Sequence, residues 1–376
     1  MRHLPQSLSN FDLLAVYWQM SGTLRNSKMT TFYPLSDLAR FSPSKGRAEL
    51  LRDVRTGLHT RPRSLKAWML YDELGSRIFE RITGLVEYYP TRTEYSLLEH
   101  HADEIVSSAC DCSRPLRIVE LGAGTAQKTC ILLAAAARQR IDVVYMPLDV
   151  SPEALNTACK RIERTFPRVL IEPVVANYID SPPQLEEFDG TTVALYLGSS
   201  IGNFSPAESR AILRNLASQL RGDDALLLGT DLVKDRATLT AAYDDREGVT
   251  AAFNLNILRR INRELDADFD LSKFMRRVHW NHADSRIEMY LESTCDQKVE
   301  IAGADLELYF TDGETIHTEN SYKFTRQMLG ELLSDSAFEM DRIWSDERSW
   351  YALTLSHLRR KQARDRDIQP FSPVPL

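Results

Sequence analysis

The sequence predicts an α/β protein organised on an open, mainly parallel sheet, and three observations carry that expectation. From Leu116 onward, apolar runs of strand length alternate with stretches of helical spacing. The first of those strands runs into a glycine turn, Gly122-Ala123-Gly124, and then into a helix. Near the end, Phe338 to Ile343 and Trp350 to Ser356 read as two strands joined by a polar turn, which gives the parallel sheet an antiparallel tail. Right-handed crossovers between parallel strands then place a ligand site at the carboxyl edge of the sheet.

Taken in order, residues 1 to 28 are uneven in composition and read as a disordered tail or an over-long start, with the more regular chain beginning at Met29. Lys45 to Thr60 carries apolar residues at helical spacing, and Ser64 to Thr83 reads as one or two further short helices rich in aromatics. The segment Glu87-Tyr88-Tyr89-Pro90-Thr91-Arg92-Thr93-Glu94 breaks at Pro90 and restarts as a helix from Thr91 or Thr93. The alternation follows: strand 116 to 121, helix 125 to 138, strand Val143 to Leu148 ending in Asp149, and helix 152 to 165. It continues with strand Leu170 to Val175, strand Thr192 to Leu197, helix 206 to 220 and strand Ala225 to Thr230. Leu232 to Lys323 holds long helices (237 to 264) and then strands at Arg286 to Ser293, Val299 to Ala302 and Leu306 to Phe310. That block is too large for a crossover. It reads as a second, α+β domain inserted into the first and built together with the N-terminal helices. The expected division is 29–92 with 232–323 as a substrate-binding domain, 93–231 with 324–358 as the sheet domain, and 359–376 as a tail.

Composition narrows the partners. A chain of 376 residues with 43% hydrophobic content is long enough for two domains. A formal charge of −7 argues against nucleic acid, which calls for a basic stripe, so a small molecule is the expected partner. Five cysteines with no C-x-x-C or histidine pairing read as reduced thiols, not as metal ligands. No apolar run is long enough to span a bilayer and no leader pattern opens the chain, so a cytoplasmic protein without membrane contact is expected, acting as a monomer.

The glycine turn admits two ligand readings. A nicotinamide or flavin binder shows G-x-G-x-x-G with an acid about 20 residues further on. Here Gln127 holds the third glycine position, and Glu120 sits two positions before Gly122. Those features favour a nucleoside without a pyrophosphate, and E-L-G-x-G-T after a strand is the usual first motif of S-adenosylmethionine methyltransferases. Asp149, 25 residues after Gly124, suits a carboxylate that accepts both ribose hydroxyls, or equally one that caps the helix near Pro152. Asn177 and Tyr178 follow the third strand, where a methyltransferase places a polar side chain on the adenine amino group and an aromatic against the ring. Gly198-Ser199-Ser200-Ile201-Gly202-Asn203-Phe204 puts two glycines and an amide where the reacting end of the cofactor would lie, although an Asn in such a loop also serves as a turn residue. The expected fold is therefore a class I S-adenosylmethionine methyltransferase, Rossmann-like, with an antiparallel C-terminal strand pair and a second α+β domain.

Several longer motifs carry a closer resemblance. Glu87 to Glu94, Glu120-Leu-Gly-Ala-Gly-Thr125, Leu197-Gly-Ser-Ser-Ile-Gly-Asn203, Gly229-Thr-Asp-Leu-Val-Lys-Asp235, Ala242-Tyr-Asp-Asp245, Gly248-Val-Thr-Ala-Ala-Phe-Asn254 and Arg286-Ile-Glu-Met289 resemble the histidine Nα-methyltransferase family of ergothioneine biosynthesis, from about Leu50 to Leu355. The resemblance implies stepwise trimethylation of L-histidine to hercynine, with S-adenosyl-L-methionine leaving as S-adenosyl-L-homocysteine. Carried over by position, it implies that Tyr71, Gly122, Lys128, Asp149, Asn177 and Tyr178 hold the cofactor. It likewise implies that Tyr88, Gly198, Asn203, Tyr243, Met289, Glu319, Asn320 and Ser321 line the histidine pocket. Ala176-Asn177-Tyr178 stands where the family more often has Gly-Asp-Phe, and Asn320 where it usually has an apolar residue.

The chemistry agrees with that implication. Methyl transfer from a sulfonium is an in-line displacement, so the protein aligns nitrogen, methyl and sulfur and needs no metal or covalent intermediate. Asn203 and Tyr243 can donate to a carboxylate, while Glu319 and Ser321, at i and i+2 on one face of an extended segment, can clamp the two ring nitrogens. Alone, Glu319 reads as a solvated strand-end acid. Met289 reads as core filler or as a soft side chain beside a ring. Tyrosines around the amine would tolerate the growing ammonium. The alternatives are an Nα-methyltransferase for another aromatic amino acid such as a tryptophan derivative, a non-catalytic S-adenosylmethionine-binding regulator and, more distantly, a nicotinamide dehydrogenase.

Overall fold

The structure, a computed structural model, describes residues 43–176 and 184–359. The tails expected at 1–28 and beyond 359 lie outside these residues. The chain opens with helix α1 (Pro43–His59), a two-residue strand β1 (Arg63–Ser64), a 3-10 turn at Ala67–Leu70, helix α2 (Glu73–Thr83) and helix α3 (Tyr89–Ala109). Pro90 does not break this segment, because it lies in the first turn of α3, where a missing N–H costs nothing.

The large sheet follows as β2 (Leu116–Leu121), α4 (Thr129–Arg138), β3 (Val143–Asp149), α5 (Pro152–Thr165), β4 (Leu170–Ile171), β5 (Val174–Val175), β6 (Thr191–Tyr196), α6 (Pro206–Ala217) and β7 (Ala225–Asp231). The third strand is thus split. Pro173, without an N–H to give the ladder, falls between its halves. Helix α4 starts four residues later than its composition suggests, because Gly122, Gly124 and Ala126 take positive φ values of 71°, 52° and 55° and delay helical geometry.

Beyond β7 come α7 (Arg236–Tyr243), α8 (Val249–Leu265), β8 (Phe274–Asn281), β9 (Arg286–Ser293), β10 (Gln297–Ile301), β11 (Leu306–Phe310) and β12 (Thr315–Tyr322). The chain returns through α9 (Arg326–Asp335), β13 (Phe338–Ser345) and β14 (Tyr351–Leu358). The large sheet has the order β13-β14-β7-β6-β2-β3-β4, with β5 also on β3. Its strands are parallel except that β14 runs antiparallel to both β7 and β13. The order reverses at β2, whose neighbours are β3 and β6, so a crevice opens beyond the carboxyl ends of these strands.

Two apolar clusters cover the faces of this sheet, one with α3, α4 and α5 and the other with α6 and α9. A third cluster joins Leu50, Val54 and Leu58 of α1 and Ile78 and Ile82 of α2 to Phe253, Ile257 and Ile261 of α8 and to Ile287 and Leu291 of β9. There β12 pairs with both β1 and β9 in a four-stranded sheet, β1-β12-β9-β8. Asp72 ties the two sequence regions together: it caps α2 through Gly75 N (2.7 Å) and accepts from Asn256 Nδ2 (2.7 Å) and Arg263 Nη2 (2.8 Å) of α8.

Candidate active site

The glycine turn after β2 is braced from the neighbouring strand. Gly122 N and Ala123 N both donate to the Leu148 carbonyl (2.8 and 3.0 Å), and Gly124 N donates to Asp149 Oδ2 at 2.9 Å. Ser151 N donates to the other oxygen, Oδ1, also at 2.9 Å. The cap of α5 is Ser151, whose hydroxyl accepts from Ala154 N. Asp149 is therefore not the helix cap, and its remaining lone pairs are free to accept from a ligand. Burial raises its pKa, and the backbone N–H groups of Ser151 and Gly124 oppose that rise. A methyl group at Gly124 would meet no atom within 4 Å, so this side of the turn is open. An open glycine turn beside a carboxylate fits an adenosyl group. Glu120 points elsewhere, buried in the sheet, where it accepts from Thr129 Oγ1 (2.6 Å) and the Tyr145 hydroxyl, and burial pushes it up to about 7.

Lys128 stands at the end of the same turn, and its ammonium pairs with Glu94 of α3. Glu94 is fully buried and also accepts from Gly198 N (2.8 Å) and the Tyr351 hydroxyl (2.7 Å). One carboxylate thus links the glycine turn, the loop after β6 and the antiparallel tail. Sequence reasoning assigned Glu94 no role, although it closes the Glu87–Glu94 motif. The approach is close enough that Gly229 must lack a side chain, since a Cβ there would lie 2.1 Å from Glu94 Oε1.

Beside this edge lies a cleft of roughly 570 Å³. Of the residues expected at the site, Tyr71, Tyr88, Gly198, Asn203, Tyr243, Met289, Glu319 and Ser321 line it together. Gly122, Lys128 and Asp149 sit on the adjoining sheet edge, outside the lining, and Asn177 and Tyr178 fall outside the described residues. Asn320 is turned away: strand alternation sends it to the opposite face, where its Oδ1 meets His317 Nε2 at 2.9 Å. The expectation that it lines the pocket with its neighbours is corrected accordingly.

Local structure explains how these side chains converge. The β9–β12 register slips between His317 and Glu319, a bulge at Thr318. Thr318 is fully buried, donating to the Met289 carbonyl (3.0 Å) and accepting from Asn254 Nδ2 of α8 (2.9 Å). The bulge re-aims Glu319 and Ser321 towards the cleft, both nearly buried at 7% and 5% exposure. From the other side, the 3-10 turn Ser200–Asn203 presses on β12, and a Cβ at Gly202 would meet the Tyr322 carbonyl at 2.8 Å. Asn203 is thereby brought into the same cleft as Glu319. Edge-on rings form one wall: Tyr71 with Phe79 (5.5 Å) and Phe253 (5.4 Å), Phe79 with Tyr88 (6.3 Å), and Tyr88 with Tyr243 (6.1 Å).

Burial dominates the electrostatics. It pushes Glu319 up to about 8, with the nearby Lys323 opposing, and lifts the Tyr88 and Tyr243 phenols well above their ordinary value. Asp231, at the end of β7, is the exception. Burial would raise it, but Lys323 and Lys234 together hold it below the usual carboxylate range, and burial in turn lowers Lys234 to about 8. Neither Asp231 nor Lys323 was singled out from the sequence, although Gly229–Asp235 was among the resembling motifs.

Comparison with known proteins agrees with this geometry. Residues 50–358 match the sequence profile of a family described as histidine-specific methyltransferase, S-adenosylmethionine-dependent. A histidine N-alpha-methyltransferase of Mycobacterium tuberculosis is 41% identical over 311 residues, covering 83% of this chain and 95% of the relative. One from Mycolicibacterium smegmatis is 40% identical over 320 residues, covering 85% and 98%. Ergothioneine biosynthesis protein 1 of Neurospora crassa is 29% identical over 290 residues, which is 76% of this chain but 32% of that longer protein. The open glycine turn, the Asp149 acceptor beside it and a match across nearly all of the described residues make this chain a member of the S-adenosylmethionine-dependent, histidine-specific methyltransferase family.

Proposed function

We propose that the protein transfers methyl groups from S-adenosylmethionine to the α-amine of L-histidine, three times in succession, giving hercynine at the start of ergothioneine biosynthesis. The observation that carries this reading is the convergence of Glu319 and Ser321 on one buried face of β12 with Asn203 and Tyr243 in a single cleft beside Gly198. An imidazole offers one N–H and one bare nitrogen. Glu319 and Ser321 answer that pair, while the Asn203 amide has a donor for the carboxylate. A phenyl or indole ring would leave Glu319 unpaired in a buried site, which costs on the order of several kcal/mol.

In the same reading the segments 93–231 and 324–358 hold the cofactor, joined by Tyr71, and 29–92 with 232–323 hold the amino acid, joined by Gly198 and Asn203. Gly122 and Asp149 receive the adenosyl group, with Asn177 and Tyr178 assigned to adenine by position. Tyr71 and Lys128 complete the cofactor site in this reading. When bound, the cofactor supplies an electrophilic methyl on a sulfonium. The chain's own share is alignment of the amine and exclusion of water from the cleft. The aromatic wall of Tyr71, Tyr88 and Tyr243 offers ring faces and edges to an amine that gains charge and bulk, an attraction worth about 0.5 to 2 kcal/mol for a cation.

The test is incubation with S-adenosylmethionine and each proteinogenic amino acid in turn, followed by mass measurement. Gains of one, two and three methyl groups on histidine alone are expected. Preferential methylation of tryptophan or tyrosine would overturn the ring-clamp assignment, and binding without turnover would make the protein a regulator.

A further inference from the structure

Behind the cleft lies a group that no step above uses. Lys323, directly after β12, is fully buried, with its Nζ 2.7 Å from the Tyr243 hydroxyl, 2.8 Å from Ser321 Oγ and 2.8 Å from Asp231 Oδ2. An ammonium has three hydrogens and no lone pair, so these three partners use it completely and it does not itself reach a ligand. Asp231 is anchored independently, accepting from the Tyr89 hydroxyl at 2.8 Å and from Lys234.

The consequence falls on the two hydroxyls. Each has one hydrogen and two acceptor sites, and each must accept from Lys323. They are also 2.7 Å apart, close enough that one donates to the other. Of their two hydrogens one is consumed between them, so the hydroxyl that accepts it has both acceptor sites filled and only its own hydrogen left to point into the cleft. Without the ammonium, both hydroxyls could turn either way and accept from a ligand as readily as donate to it.

We propose that Lys323, held by Asp231, is a positioning residue that fixes the polarity of the Tyr243–Ser321 pair, so that the pair presents one hydrogen-bond donor to the bound amino acid. The neutral, acceptor nitrogen of an imidazole is the partner this donor selects, while Glu319 takes the ring's other nitrogen. This inference rests on the histidine reading of the cleft.

The test compares the wild type with Lys323→Met, which keeps an unbranched side chain one atom shorter and removes every donor. Asp231 retains Lys234 and Tyr89 in that variant, so no unpaired buried carboxylate results. Histidine KM should rise at least about 5-fold, the size of one hydrogen bond between a hydroxyl of the pair and the ring. The Kd for S-adenosylhomocysteine should stay within about 2-fold, and kcat should change less than KM. A purely structural lysine would lower Tm without this split. A folded Lys323→Met enzyme with wild-type histidine KM overturns the proposal. Should that variant not fold, Lys323→Gln decides: its shorter, uncharged amide can satisfy Asp231 but not both hydroxyls. A histidine KM at least about 5-fold above wild type is then expected, and an unchanged one overturns the proposal. Failure of the histidine reading itself shows separately, as a wild-type enzyme that does not methylate histidine.

Discussion

Glu319 sits in an environment that its type does not suggest. An acid that reads from the sequence as a solvated strand end lies midway along β12, where the Thr318 bulge turns it into the cleft and burial lifts it to about 8. The sign for stability follows. Below the ordinary carboxylate range both folded and unfolded chains carry the proton, so Glu319 has no effect. Between about pH 4.5 and 8 only the folded state keeps it, and stability falls as pH rises, the loss being complete above about 8. Glu120, lifted to about 7, acts in the same direction. We therefore expect thermal unfolding of the ligand-free protein to show Tm declining from about pH 5 to 8, and Glu319→Gln to flatten that decline without abolishing it. An equal slope in both proteins would show that Glu319 ionises freely in the folded state. At this scale the sequence was partly legible. The i, i+2 spacing of Glu319 and Ser321 marks a shared face, but Asn320 was grouped with them when alternation alone places it opposite. Glu94, Asp231 and Lys323 went unassigned because an isolated acid or lysine gives no sign of being buried until its partners arrive from distant segments.

Among the elements, β7 and α3 meet through Gly229 and Glu94. Gly229→Ala would put a methyl group 2.1 Å from Glu94 Oε1 and 2.8 Å from the Tyr351 hydroxyl, so the carboxylate must shift. Overpacking of this kind costs about 1 to 3 kcal/mol. The displaced Glu94 would also release Lys128 and Gly198 N, which it now holds. We expect a lower denaturation midpoint together with weaker S-adenosylhomocysteine binding by titration calorimetry, whereas unchanged cofactor affinity would confine Glu94 to packing. The boundaries of α5 and the core of β2 were readable from apolar spacing, capping residues and Pro152. Others were not, for stated reasons: β8 carries Arg276 and Arg277 in mid-strand, which masks its alternation, and α9 is short and interrupted by Gly330. The β4–β5 break and the late start of α4 reflect Pro173 and the positive-φ turn, which period counting does not register.

For the molecule as a whole, the walls of one cleft come from three chain regions: Tyr71 and Tyr88 before the large sheet, Gly198 and Asn203 within it, and Tyr243, Met289, Glu319 and Ser321 after β7. Ligands that bridge these regions should stabilise them jointly. At a free concentration of 100 times its Kd, S-adenosylhomocysteine is expected to add about 2.7 kcal/mol to the folded state. Histidine together with it should raise Tm in a thermal-shift assay by more than either ligand alone. Independent transitions, with one insensitive to both ligands, would show that the regions do not share a site. The alternation from Leu116 and the terminal strand pair made the large sheet legible at this scale. The companion sheet was not, because β1 has two residues and its partner β12 lies some 250 positions later.

The join between β7 and the segment that follows it carries one more consequence. The chain departs at Leu232 and comes back at Phe324, and these residues form a parallel bridge, with Val233 N donating to the Phe324 carbonyl and Phe324 N to the Asp231 carbonyl. Some ninety residues therefore leave and rejoin the nucleotide-facing scaffold at adjacent points. On the proposed reading, exchanging that segment together with the leader helices that share its interior is expected to change which amine is accepted, while Gly122, Lys128 and Asp149 keep their places on the scaffold.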